Sequence, residues 1–253
     1  MHTAELLAMT AAIVPDRTAV VFEGKRYTYA QLQERVGRLA AALARLGVGL
    51  GDRVAILQVN SAATVEAYYA AASLGAIFVP LNFRAKQDEL TYMLNTAEPH
   101  VLLVGGRYTE LVKGIASRLS SLRHFIALEG GVEGWLPYAD LLSSTPPQGA
   151  GEPQGTDEDT TVLMFTAGTT GFPKGVMLSH QSFTSYLLSN VPPADPEVEE
   201  RNLLSVPMYH IAGLQAMMAA VYGGRTLVVM RQFEPVEWMR LVQEERVQRA
   251  MMV

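Results

Sequence analysis

Between Thr166 and Gly175 the chain sets three glycines, three threonines and one lysine within ten residues, Thr-Ala-Gly-Thr-Thr-Gly-Phe-Pro-Lys-Gly. These residue types share one chemistry. Glycines let backbone amides converge on an anion with no side chain in the way, hydroxyls donate further hydrogen bonds, and Lys174 adds a point charge, so the run is an inventory for binding phosphate. The P-loop of nucleotide triphosphatases requires Gly-Lys-Ser/Thr at the opening of a helix. Here Pro173 precedes Lys174, Gly175 follows it, and Val176-Met177-Leu178 reads as strand. A hairpin-like loop between two strands is therefore expected.

The strand that feeds this loop is predicted over 161–166 and the returning strand over 175–178. Upstream, Thr28 with Gln31 three residues later forms a capping box. Tyr29, Leu32, Val36, Leu39, Leu43 and Leu46 then recur at helical spacing, and Gly47 supplies a left-handed stop. A strand at 53–59, a helix from Asn60 or Ser61 to Leu74, a stop at Gly75 and a strand at 76–80 make a βαβ unit, which places its strands parallel. Helices near 86–96 and 109–119 alternate with strands at 100–104 and 124–128. Past the loop come a helix at 180–189, strands at 202–206 and 225–229, and helices at 213–222 and 235–245. The expected class is α/β, with layered βαβ sheets flanked by helices. Residues 143–159 are rich in Ser, Pro, Gly and acidic residues, so they read as a surface linker between a first lobe, 1–142, and the start of a second, 160–253. The run 197–201 reads as solvated surface.

Composition bounds the function. The 253 residues are 49% hydrophobic with a formal net charge of −5; that supports a sizeable core and gives no basic field for nucleic acid. With no cysteine, thiolate catalysis, disulfides and cysteine-zinc sites are excluded. His2, His100, His124, His180 and His210 lie far apart, without metal-ligand spacing. Residues 1–14 lack the basic leader and apolar run of a signal peptide, and the most apolar window, 67–81, is too short to span a bilayer, so a cytoplasmic address is expected.

The run Thr166 to Val176 closely resembles the signature phosphate loop of the adenylate-forming superfamily, which includes acyl- and aryl-CoA synthetases, peptide-synthetase adenylation domains and luciferases. Three other stretches resemble that family in the same order: Tyr27-Thr-Tyr-Ala-Gln-Leu, Leu74-Gly-Ala-Ile-Phe-Val-Pro-Leu-Asn, and Pro207-Met-Tyr-His-Ile-Ala-Gly213. Ala167 stands where many members carry serine, and Tyr209 replaces the commoner phenylalanine while keeping the ring. The resemblance implies the fold of the large N-terminal domain of acyl-CoA synthetases, here truncated. It implies that Thr166, Gly168, Thr169, Thr170, Gly171 and Lys174 surround the β- and γ-phosphates of ATP, and that Tyr209 and His210 lie beside the acyl-adenylate. His180 also matches a family position, with a structural role near a helix start. ATP carrying Mg²⁺, a carboxylic acid and coenzyme A are the implied ligands. A fatty or other hydrophobic acid is favoured by overall resemblance; aromatic and short acids stay open.

The family's chains continue past Val253 into the adenine-binding segment, the glutamate that helps hold Mg²⁺, the ribose-binding aspartate and a mobile C-terminal domain. By resemblance, this chain alone would not complete adenylation or thioester formation, no catalytic residue is assigned within it, and the apolar edge at 250–253 would favour self-association. A peptide-synthetase-type adenylation domain and a non-catalytic nucleotide-binding or interaction module are the competing readings.

Overall fold

The capping box at Thr28 opens helix α2 (Tyr29–Arg45): the Thr28 side chain accepts from the Gln31 amide and the Gln31 side chain accepts from the Thr28 amide. The chain before it forms α1 (Thr3–Ile13) and the hairpin strands β1 (Thr18–Phe22) and β2 (Lys25–Thr28). After it come β3 (Arg53–Leu57), α3 (Ala62–Ser73), β4 (Ile77–Pro80), α4 (Gln87–Ala97), β5 (Val101–Val104), α5 (Thr109–Ile115) and β6 (His124–Ala127). Next are β7 (Leu136–Pro137), α6 (Tyr138–Ser144), β8 (Thr160–Thr166), β9 (Lys174–Ser179) and α7 (His180–Asn190). The chain then runs through β10 (Arg201–Leu204), α8 (Ile211–Tyr222), β11 (Thr226–Val229), α9 (Pro235–Glu244) and β12 (Arg249–Met251). This computed structural model describes residues 1–147, 153–166 and 171–252.

Among the described residues the strands form two sheets, one ordered β12-β10-β11-β1-β2 and the other β7-β6-β5-β3-β4-β8-β9. Every pairing is parallel except the hairpins β1–β2 and β8–β9, which place an antiparallel strand at one edge of each sheet. Alternation along each strand sorts the core into layers. On β3, Val54 and Ile56 face a core shared with α1, α2, α3 and α8, whereas Ala55 and Leu57 face α4 and α5. On β11, Leu227 and Val229 join the first of these cores, while Val228 packs with Trp238, Leu241 and Val242 of α9. The order of layers is therefore α9, sheet, central helices, sheet, then α4 with α5. The apolar window at 67–81 is α3 and β4; α3 is buried on nearly every side because a sheet lies on each.

Each sheet draws strands from both sides of the stretch 143–159. β1 pairs with β11 and carries β2 at its free edge, in the sheet that also holds β10 and β12, while β8 and β9 complete the sheet of β3 to β7. Local pattern locates strands, but the partner of a parallel strand is chosen by distant contacts. Residues 197–201 are not wholly solvated. Glu200 is bonded by Arg225 at 2.8 Å and Arg249 at 2.7 Å, which ties the start of β10 to its two neighbours.

Two buried polar clusters join elements. Glu66 on α3, fully buried, receives a two-pronged guanidinium from Arg35 (2.8 and 3.1 Å) and the hydroxyl of Tyr138. In the second cluster the ring centroids of His2 and His180 lie 3.4 Å apart. His180 Nδ1 accepts from the amide (3.2 Å) and hydroxyl (2.7 Å) of Thr3, whose hydroxyl in turn accepts from Tyr68 (2.6 Å). Those contacts hold α1 against the start of α7.

Candidate functional site

Strands β8 and β9 run antiparallel as far as the pair Thr166 and Lys174, where the Thr166 hydroxyl donates to the Lys174 carbonyl at 3.4 Å. The glycine- and threonine-rich run is thus the connection of a two-stranded hairpin, as its strand-like flanks predict. Ala167, Gly168, Thr169 and Thr170 lie outside the described residues. Of the described part, Gly171 has φ +114, in the region that disfavours any side chain, and a Cβ there would meet no atom of the described residues within 4 Å; the backbone conformation is what calls for glycine. Phe172 stacks on Tyr92 of α4, centroids 4.6 Å apart and planes 28° apart. Pro173 is buried, and the side chains of Thr166 and Lys174 are exposed.

The second motif forms the turn from β10 into α8. His210 is the N-cap residue of α8, in extended conformation and exposed. The turn is tight because Gly213 leaves room for it: a Cβ there would collide with the carbonyl oxygen of Pro207. That accounts for the Pro-x-aromatic-His-x-x-Gly spacing. Tyr209 is buried with its ring edge-on to Phe83 (5.1 Å, 88°) and 4.2 Å from the ring of His210. Although exposed, His210 is partly desolvated, which holds its pKa below the ordinary imidazole value, and the guanidinium of Arg84 pushes it the same way. The imidazole is accordingly neutral at pH 7 and keeps a lone pair free to accept a hydrogen bond. Burial raises the Tyr209 phenol, with Arg84 opposing.

One core cluster brings the two motifs together. Phe165, adjacent to Thr166, shares it with Phe83 and Tyr209. The loop after β8, the segment Asn82 to Arg84 after β4 and the turn after β10 all follow the carboxyl ends of parallel strands, where ligands bind in open α/β sheets. The turn is anchored by Asn60, just past β3 and buried. Its side-chain amide donates to the carbonyls of Val206 (2.9 Å) and Met230 (3.1 Å), and its oxygen accepts from the Met208 amide (2.8 Å). Asn60, Arg84 and Tyr92 were not singled out from sequence. Asn60 reads there only as one of two possible caps for α3, a place that Ser61 takes.

Two further features bound the site. A cleft of about 810 Å³ lies elsewhere, between α2, α3 and α6; neither Lys174 nor His210 lines it. A smaller apolar hollow of about 160 Å³, lined by Ser205, Val206, Pro207, Phe233 and Met252, adjoins the His210 turn. Among the described residues no cluster of His, Asp and Glu is arranged to hold a metal ion, and no helix is long and apolar enough to cross a membrane.

Residues 7–253 match the family model described as AMP-binding enzyme. The chain belongs to that family. It is similar to the long-chain-fatty-acid–CoA ligase FadD13 of Mycobacterium tuberculosis, with 34% identity over 88% of this chain and 43% of that one. It is similar also to a feruloyl-CoA synthase of Amycolatopsis, with 34% identity over 94% of this chain and 45% of the other. Among solved structures, the N-terminal domain of FACL13 from Mycobacterium tuberculosis superimposes with a TM-score of 0.86 at 32% identity, covering 97% of this chain and 61% of that one. This AMP-binding-family chain thus has the fold of an acyl-CoA ligase N-terminal domain and spans about half the length of the curated relatives it matches.

Proposed function

We propose that the chain supplies the phosphate-binding loop and the acyl-side histidine of an ATP-dependent acid–thiol ligase. That enzyme would activate a carboxylic acid as acyl-AMP before transferring the acyl group to coenzyme A. The observation that carries this reading is the hairpin: Thr166 and Lys174 face one another at the mouth of a glycine- and threonine-rich connection, at the carboxyl end of β8. Thr166, Gly168, Thr169, Thr170, Gly171 and Lys174 would hold the β- and γ-phosphates of ATP, with Mg²⁺ arriving on the nucleotide. The substrate carboxylate attacks the α-phosphorus, the bond to the bridging oxygen breaks, and pyrophosphate leaves. The coenzyme A thiol then attacks the acyl carbonyl, losing its proton, and AMP departs. Such a transfer depends on positioning and on offsetting charge at the leaving phosphates, which donors and an ammonium provide without a protein nucleophile.

Tyr209 and neutral His210 would line the acyl side, with the adjoining apolar hollow favouring a fatty or other hydrophobic acid. Similarity to a long-chain-fatty-acid–CoA ligase and a feruloyl-CoA synthase favours thioester formation over peptide-synthetase chemistry. The test is titration of the 253-residue chain with ATP and with pyrophosphate, followed by phosphorus NMR. Saturable binding is expected, and Lys174→Ala should weaken it about tenfold or more, the scale of one lost charge-assisted contact. Equal binding by Lys174→Ala, or no saturable binding by the parent chain, rejects the proposal.

A further inference from the structure

The loop's return arm is tethered to helix α4. Phe172 follows the Gly171 turn and precedes buried Pro173 and Lys174. As a phenylalanine left 59% exposed it has little burial to fix it, yet its ring lies flat on that of Tyr92, 4.6 Å away. Tyr92 is half-buried on the flank of α4, beside Leu90, Met93, Leu94 and Ala97, which root the helix in the core under the sheet. The stack therefore spans from a rigid element to the residue two positions before the lysine. Offset stacking constrains a ring in both separation and tilt.

We infer that Tyr92 is a positioning residue for the phosphate loop: through Phe172 it fixes where Lys174 and the return-arm amides face a polyphosphate. The inference rests on the phosphate-binding reading above. Pre-organisation of this kind shows in ligand affinity rather than in fold stability, because the return arm from Gly171 to Lys174 is then in place before the anion arrives.

The experiment measures pyrophosphate and ATP affinity for the 253-residue chain and for Tyr92→Ala, Tyr92→Phe, Phe172→Ala, the double Tyr92→Ala/Phe172→Ala, and Lys174→Ala. Tyr92→Ala and Phe172→Ala should each weaken binding roughly three- to tenfold, the range of one aromatic pair. Tyr92→Phe should bind as the parent does. The double variant should be no weaker than either single one, since both remove the same contact. Midpoints of urea unfolding should stay near the parent's. If Tyr92→Ala binds normally while Lys174→Ala is weakened, the inference falls and the phosphate site stands. If Lys174→Ala binds normally, or the parent does not bind saturably, the phosphate reading falls and takes the inference with it. Additive losses in the double variant, or equal loss in Tyr92→Phe, also overturn the stack. Should Tyr92→Ala fail to fold, Phe172→Ala, at an exposed position, carries the same test.

Discussion

Asn60 does with one side chain what a turn rarely achieves alone. Its amide satisfies two carbonyls and its oxygen one N–H, all buried, so the Pro207–His210 turn and the end of β11 are held to the end of β3. Asn60→Ala would leave all three backbone groups without that partner and is expected to cost about 2–4 kcal/mol, from penalties of ~1–3 kcal/mol per unsatisfied group partly relieved by water. Asn60→Asp should be worse at pH 7, because a carboxylate then faces two carbonyl oxygens with nothing to donate. Urea unfolding of the two variants checks the order, and an Asp variant as stable as the parent would refute it. None of this is legible in the sequence. Asn60 beside Ser61 reads as a helix start, and its partners lie 146 to 170 positions further on. Gly213, in contrast, is legible as part of a motif, although the reason for it, the approach of Pro207, emerges only from the packed turn.

At the level of elements, the attachment of α1 makes a pH-dependent prediction. Burial pushes His180 down to about 3, and the neighbouring His2, itself lowered chiefly by burial, adds repulsion. The groups facing the pair are Glu5 on α1, the amino terminus, and Asp157 and Asp159 before β8; the three carboxylates favour the charged imidazoles and are outweighed. A histidine depressed in the folded state is neutral there while the unfolded chain takes up a proton. Stability is therefore full above the ordinary value of 6.5 and declines as pH falls from there toward about 3. The limiting slope is ~1.4 kcal/mol per pH unit for each such group. Urea unfolding between pH 7 and 4 should show this decline. It should be shallower in His180→Asn, whose amide oxygen can replace Nδ1 as the acceptor for Thr3; an unchanged slope in that variant would count against the imidazole pair as the cause. Elements with a strong period or cap, such as α2 with Thr28 and Gln31, were readable in advance. β7 and α6 were not, because two residues and seven are too few to show a period, and what seats α6 is Tyr138 reaching Glu66 from 72 positions away. The glycine- and threonine-rich hairpin was readable because the residues on both sides of it are strand-like on their own.

Across the whole molecule, the interleaved sheets join sequence segments that a linear reading separates. The hydroxyl of Tyr29 donates to the Arg225 carbonyl at 2.7 Å and that of Thr10 to the Val221 carbonyl at 2.9 Å, while β1 lies between β2 and β11. Residues 1–142 expressed alone should therefore lack cooperative unfolding, and mixing with 143–253 should restore it. A sharp two-state transition in the first fragment alone, followed by circular dichroism in urea, would show that the early segment is self-sufficient after all. The pairing of Val20 with Leu227 has one more consequence, in time rather than space. Translation at ~5–20 residues per second delivers about 200 further residues only after ~10–40 s. For that interval the nascent chain carries the β1 edge with its eventual neighbour not yet made, an unpaired edge open to wrong partners.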